Sequence, residues 1–299
     1  MTNQQTSSNE PAKSAISATK TQVSTFVTGT LRSLLPSESG ITLANTDEPL
    51  TDAHFEELVC RNCGEPCTTK FCSSCGQGMA KRFTYRDVGK EIWERYRLFE
   101  MDTFRMGVRL LVRPGTVARE YVLGARKRYL HPLNLLLVAI GFLVLLLNQT
   151  HYLTAGRTDL TPVMAQVEAW SQWSFSMGLF AILMSSTIIF WKRLGYNIVE
   201  QAILAAYTQT AIIAVNMLNL LPLLFFNSTE WLLRHREVTG WYMNGVEVGI
   251  VTLAFQQFFR VKLPSQWWRL ALAVAAYYLL KKGLLLAYAR LIVFIVLGQ

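Results

Sequence analysis

Outside one short window the chain has no cysteine. All five, Cys60, Cys63, Cys67, Cys72 and Cys75, fall between residues 60 and 75. That clustering excludes a disulfide framework spread over the fold. It points to metal ligation in a reducing compartment, so this part is expected to face the cytosol. Charge is also scarce: Asp, Glu, Lys and Arg make up 16% of the 299 residues. A soluble domain of this length usually carries more. Histidine is limited to His54, His131, His151 and His235, scattered with no metal-ligand spacing. There is no G-x-S-x-G, H-E-x-x-H, P-loop or dinucleotide fingerprint, so no enzyme class is indicated. Residues 1–25 lack an apolar core followed by a small-residue cleavage site, and membrane insertion is expected to rest on internal segments.

What the chain does have is long apolar runs, all after residue 132. A span needs about 20 apolar residues to cross about 30 Å of hydrocarbon. Five stretches qualify as candidates: Pro132 to Gln149, Trp173 to Trp191, Ile198 to Phe226, Trp241 to Phe259 and Trp268 to Leu297. The predicted fold class is an all-α polytopic membrane protein. It combines a helical bundle of about five spans, a small cytosolic zinc-ribbon knuckle and interfacial helices. The predicted organisation is a polar disordered tail over 1–51, a zinc ribbon over 52–80, basic juxtamembrane helices over 81–131 and the bundle over 132–299. Arg126 to Arg128, Lys192 with Arg193, and Arg260, Lys262 and Arg269 all fall on one side if the spans are numbered this way. By the positive-inside rule the N-terminus is cytoplasmic, which suits a multi-pass protein of the inner (plasma) membrane. In the fifth candidate Lys281 and Lys282 sit near mid-span, where each charge costs about 2.5–3.5 kcal/mol. Either the lysines snorkel, or they face a polar interior, or 268–297 is a broken helix or re-entrant pair.

The window CRNCGEPCTTKFCSSCGQ holds two Cys-x-x-Cys pairs, each followed by glycine. Each pair lets two sulfurs of one tight turn reach one ion, and Gly64 and Gly76 relieve the backbone just past it. Four thiolates from Cys60, Cys63, Cys72 and Cys75 suit a closed, structural zinc site with no open position for catalysis. Rubredoxin-like iron is the alternative. Cys67 is left over as a bystander.

Between Lys81 and Arg128 thirteen Lys/Arg face six acids. That excess reads as attraction to anionic inner-leaflet lipids rather than to nucleic acid, because no base-reading motif accompanies it. Arg113, Arg119, Arg126, Lys127 and Arg128 are the candidate membrane-interface cations. Tyr121, Tyr129 and His131 suit a water–lipid boundary. Two helices are predicted over 84–112, lying on the inner leaflet or packed on the bundle. A short surface helix follows over 116–123, with Gly124 as its C-cap.

Glu200, Glu247, Lys281 and Lys282 are candidate members of a polar intramembrane site. Glu200 is expected near Lys192 and Arg193. Glu247 is expected to pair with Lys281 or Lys282, as a structural ion pair or as a proton-coupling site. Asn216, Asn219, Thr208 and Thr210 are expected to make interhelical hydrogen bonds.

The set C-x-N-C-G, F-C-x-x-C-G-Q, Arg113-Pro114-Gly115, and Tyr121, Gly124, Arg126, Tyr129 and Pro132 before the spans resembles the bacterial membrane proteins grouped as domain of unknown function 3667. Tyr196-Asn-Ile-Val-Glu200 resembles a further motif of that family. Its members often carry His after the Glu, where this chain has Gln201, a departure that bears on any metal or proton role there. The resemblance implies a cytosolic zinc ribbon on a helical membrane bundle, with no activity attached. Two functions are then in view. One is a non-enzymatic adaptor or regulator with a protein partner at the zinc knuckle. The other is a transporter, channel or accessory subunit, and an oligomer is open in either case.

Overall fold

A computed structural model describes residues 47–84, 102–150, 175–225 and 228–297. The polar tail before residue 47, the helix expected between Thr84 and Phe99, and Trp173 at the start of the second candidate span lie outside the described residues. No strand occurs among the described residues; there are two isolated β-bridges, Val59 with Pro66 and Phe71 with Gly78. The helices are α1 (Ala53–Glu56), α2 (Asp102–Val112), α3 (Pro114–Val122), α4 (Pro132–Thr150), α5 (Phe175–Ile189), α6 (Ile198–Leu220), α7 (Thr229–Phe258) and α8 (Leu263–Leu297).

Among the described residues three helical segments are long and apolar enough to cross a membrane: Pro132–Thr150, Ile198–Leu224 and Leu263–Ile295. The other two candidate spans are helical but differ in kind. α5 has 15 described residues. α7 runs for 30 residues, beginning twelve residues before Trp241, and carries Glu230, Arg234, Arg236, Glu237 and Glu247. α8 is continuous through Lys281 and Lys282, so the broken or re-entrant alternative does not hold; its one non-helical residue is Gln266, near its start.

α6 is the central helix. Its apolar window is 78% buried, against 17% for α8. α4, α5, α3 and α7 all pack on α6, and α8 packs mainly on α5. Asn197 starts α6 with a capping box: its side chain accepts from the Glu200 N–H, and the Glu200 carboxylate accepts from the Asn197 N–H. The turns that carry Arg193 and Arg260 meet residues 47–50, because Leu50 N–H bonds Leu194 O at 2.8 Å and Asp47 pairs with Arg260 and Lys262. The Lys262 ammonium, and after it the Arg260 guanidinium, hold the Asp47 carboxyl down at about 2.

α3 is not the surface helix its flanking cations suggest. Pro114, Gly115, Val117, Ala118, Arg119, Glu120, Tyr121 and Val122 are all buried. Pro114 occupies the first turn, where a missing N–H is harmless. The helix ends in a Schellman motif: Gly124 N–H bonds Tyr121 O, Ala125 N–H bonds Glu120 O, and Gly124 takes φ +112. α3 and α7 cap each other. The Gln257 side chain accepts from the N–H groups of Gly115 and Thr116 at 3.1 and 3.2 Å, and Arg119 donates to Phe258 O at 3.0 Å. Orphan donors at the start of α3 and an orphan acceptor at the end of α7 are thereby satisfied together.

Candidate metal centre and its attachment to the bundle

Residues 58–67 and 70–79 fold as two copies of one knuckle. Cys60 N–H bonds Glu65 O, as Cys72 N–H bonds Gln77 O; Gly64 N–H returns to Cys60 O, as Gly76 N–H returns to Cys72 O. Both glycines take positive φ, +83 and +69, which side chains with a Cβ adopt at a cost. Cys67 N–H bonds Leu58 O where Met79 N–H bonds Lys70 O. The fifth cysteine thus stands where the second copy has a methionine. It is buried with Cys60 and Cys72, as an apolar plug. Lining up LVCRNCGEPC with KFCSSCGQGM reveals this repeat in the sequence itself.

The four remaining sulfurs converge. Cys60, Cys63, Cys72 and Cys75 place Sγ atoms within 4.8 Å of one another, with Cys60–Cys75 and Cys63–Cys72 each at 3.5 Å. A tetrahedron with metal–sulfur bonds of about 2.3 Å has edges of about 3.8 Å, so the donor set fits a tetrahedral thiolate ion such as zinc. All five cysteines are free thiols. Their proximity splits their acidities. Backbone groups of Cys75 and Ser74 bring the Cys72 thiol down to about 6. At Cys63 the Glu65 backbone pulls the same way, but burial and the neighbouring sulfurs outweigh it and push the thiol up to about 12. A bound divalent cation would ionise all four. Replacing Cys72 by Ser is expected to abolish metal content, measured by elemental analysis of purified protein. Cys67→Ser is expected to keep one metal per chain; loss of metal in that variant would contradict its packing role.

The second knuckle is fastened to the turn between α3 and α4. The Gln77 side chain donates to Gly124 O and accepts from Lys127 N–H, both at 2.8 Å. The Lys127 ammonium donates to Cys75 O, and Arg126 donates to Lys81 O while lying 3.7 Å over the Phe83 ring. A Cβ on Gly124 would lie 2.8 Å from Arg61 Cβ and 2.9 Å from Ala80 Cβ. His54 on α1 bonds Leu123 O at 3.1 Å, and burial holds its imidazole below the usual value. The folded state therefore keeps His54 neutral. Below about pH 6.5 the unfolded chain binds the extra proton, so this contribution is present above that pH and lost as pH falls through the folded value. Thermal midpoints measured between about pH 7.5 and 5.5 are expected to fall less steeply in His54→Gln than in the parent. Parallel curves would remove His54 as the titrating group.

Two of the five predicted interface cations are drawn inside. Arg119 and Arg126 are buried, and so are Tyr121, Tyr129 and His131. The side chains of these residues therefore face the interior of the protein rather than its surface. Their polar ends find partners within the protein, which a buried position requires. Arg113 and Lys127 remain exposed and Arg128 is half-buried. Arg128 sits 3.8 Å from Glu120, a carboxylate that nothing in the local sequence marks as central. Glu120 is buried and accepts from Arg109 at 2.6 Å and from Tyr129 OH at 2.5 Å. Burial, then the Glu120 charge, pushes the Tyr129 hydroxyl up, so it remains a donor.

Glu200 is fully buried but not beside Lys192 or Arg193. Its partner is Arg82, at 3.1 Å, which also reaches Asp52 at 3.2 Å. Arg193 turns instead to Phe259 O and Gln266. Lys281 makes an ion pair with Glu247 across α8 and α7, while Lys282 lies 5.5 Å from the centre of the Tyr278 ring. Among the expected polar side chains of α6, Asn219 crosses to Thr239 at 3.3 Å and accepts from Tyr242. Thr208, Thr210 and Asn216 bond carbonyls of their own helix.

A family model described as "Protein of unknown function (DUF3667)" matches residues 102–144. The match takes in α2, α3, the turn that receives the ribbon and the first part of α4, and does not reach the cysteines. No curated protein and no solved structure matches the chain.

Proposed function

We propose that this chain is a multi-pass protein of a bacterial inner membrane with a cytoplasmic N-terminus and about five spans. It acts as a non-enzymatic adaptor or regulator whose four-cysteine zinc ribbon docks a protein partner, with anionic lipids around its basic end. The observation that carries this reading is the asymmetric use of the two knuckles. One is stapled to the bundle through Gln77. The other touches the same turn only through Arg61 and is open at its glycine, where a Cβ on Gly64 would meet nothing within 4 Å. Leu58 and Phe71 stand 67% and 65% exposed on the ribbon. Support for the orientation comes from residues 47–50, just ahead of the ribbon, meeting the basic turns at Arg193 and Arg260. A photo-crosslinking residue at position 58, in cells, is expected to give one discrete adduct that Cys72→Ser abolishes. An adduct pattern unchanged in Cys72→Ser would sink the docking role.

The Lys281–Glu247 pair favours a second reading, a small-solute or ion transporter, channel or accessory subunit. An intramembrane ion pair is a default functional candidate. Proteoliposomes of the parent protein should then pass protons or a small ion, and Glu247→Gln should stop it. No flux in the parent removes this reading.

A further inference from the structure

Among the contacts between the ribbon and the bundle, Lys127 is the one that reaches the metal-centre backbone with a charge. Its N–H is held by the Gln77 side chain, which also grips Gly124 O, so the turn and the second knuckle share one amide. Its ammonium reaches back over the knuckle to Cys75 O and lies 3.5 Å from where a Cβ on Gly76 would stand. Four thiolates around one divalent ion carry a net charge of about −2. A cation at the Cys75–Gly76 backbone offsets that charge, and groups just outside the ligand set commonly tune affinity about 10–100-fold.

We propose that Lys127 is a positioning residue of the metal centre, and that with Gln77 it links metal occupancy of Cys60, Cys63, Cys72 and Cys75 to the turn leading into α4. This rests on the zinc reading of the four cysteines. Linkage is reciprocal: if the turn raises the affinity of the site for metal, metal must stabilise the turn by the same free energy. The Lys127 side chain supplies charge and the Gln77 side chain supplies shape, so the two contributions are separable.

The test uses the full-length protein in detergent, zinc as the ligand and a chromophoric chelator as competitor. Lys127→Met is expected to weaken zinc binding by about tenfold. Lys127→Arg should recover most of that loss. Lys70→Met, which removes an exposed charge from the ribbon itself, should stay within about twofold of the parent. Independently, stripping zinc from the parent should speed amide exchange at residues 123–127. In Gln77→Ala exchange there should already be fast and insensitive to zinc. Equal zinc affinities in Lys127→Met and Lys70→Met would overturn the proposal, as would exchange at 123–127 that ignores zinc removal in the parent. A parent protein that takes up no zinc would overturn the metal reading itself.

Discussion

Gly115→Ala is expected to destabilise the bundle by more than about 4 kcal/mol, a fall of about 10 °C in thermal midpoint. The reason is contact with backbone. A Cβ at this position would lie 2.2 Å from Ala254 O and 2.8 Å from Gln257 Cβ. The carbonyl belongs to the interior of α7 and cannot rotate away as a side-chain end could. Moving α3 off α7 would break the reciprocal caps as well, freeing the donors of Gly115 and Thr116 and the carbonyl of Phe258. Buried backbone groups left without partners add their own cost. Gly107→Ala is the matched control. It lies in α2, where a Cβ would meet nothing within 4 Å, and loss of a helical glycine should stabilise by about 0.5–1 kcal/mol. Melting curves of the two variants in one detergent decide the matter; similar midpoints would mean that α3 and α7 are not in close contact.

That contact explains why the Arg113–Pro132 stretch is only half legible in the sequence. Its punctuation is local and can be read directly: Pro114 opens a helix and Gly124 closes one. Its cations lead elsewhere. A basic cluster beside an apolar run has the composition of a membrane boundary, and nothing nearby in the chain signals that Arg119 caps a helix 139 residues away or that Gln257 caps Gly115 from 142 away. Glu200 behaves in the same way, since its partner Arg82 lies 118 residues back, while Lys192 and Arg193 are its neighbours only in sequence. The cysteines are the opposite case. Cys-x-x-Cys-Gly encodes its own turn, so the convergence of the four cysteines follows from spacing, and the packing role of Cys67 follows once the two copies are laid side by side. α8 decides between alternatives that charge alone leaves open in a long apolar helix. A break is one way to accommodate Lys281 and Lys282; instead Glu247 on α7 answers the first, the Tyr278 ring lies near the second, and the helix continues.

Glu120→Ala should cost about 3–5 kcal/mol, because it strips the counter-charge from a buried cation. Arg109 and Glu120 both have side chains only 4% exposed, and their contact is 2.6 Å. Without the carboxylate, Arg109 keeps the Tyr129 ring at 5.7 Å but no anion, and Tyr129 loses the acceptor of its hydroxyl. Arg128 contributes far less. It is 27% exposed and 3.8 Å away, and Arg128→Gln should change stability by about 0–1 kcal/mol. Removing both charges at once distinguishes a shared network from two separate packing defects. In Arg109→Met with Glu120→Gln no fully buried ion is left stranded, Arg128 being partly exposed to solvent, a glutamine oxygen can still accept from Tyr129, and the thioether fills the arginine's apolar volume. The double variant should therefore be more stable than Glu120→Ala and more stable than the sum of its own single changes, with a coupling of about 1–3 kcal/mol. Unfolding of the parent, the two single variants and the double variant, followed by tryptophan fluorescence in detergent, supplies the cycle. Strict additivity would mean that Glu120 and Arg109 do not hold α3 against α2 through one another. The cation excess within residues 102–144 would then need a different account, with its charges turned outward after all.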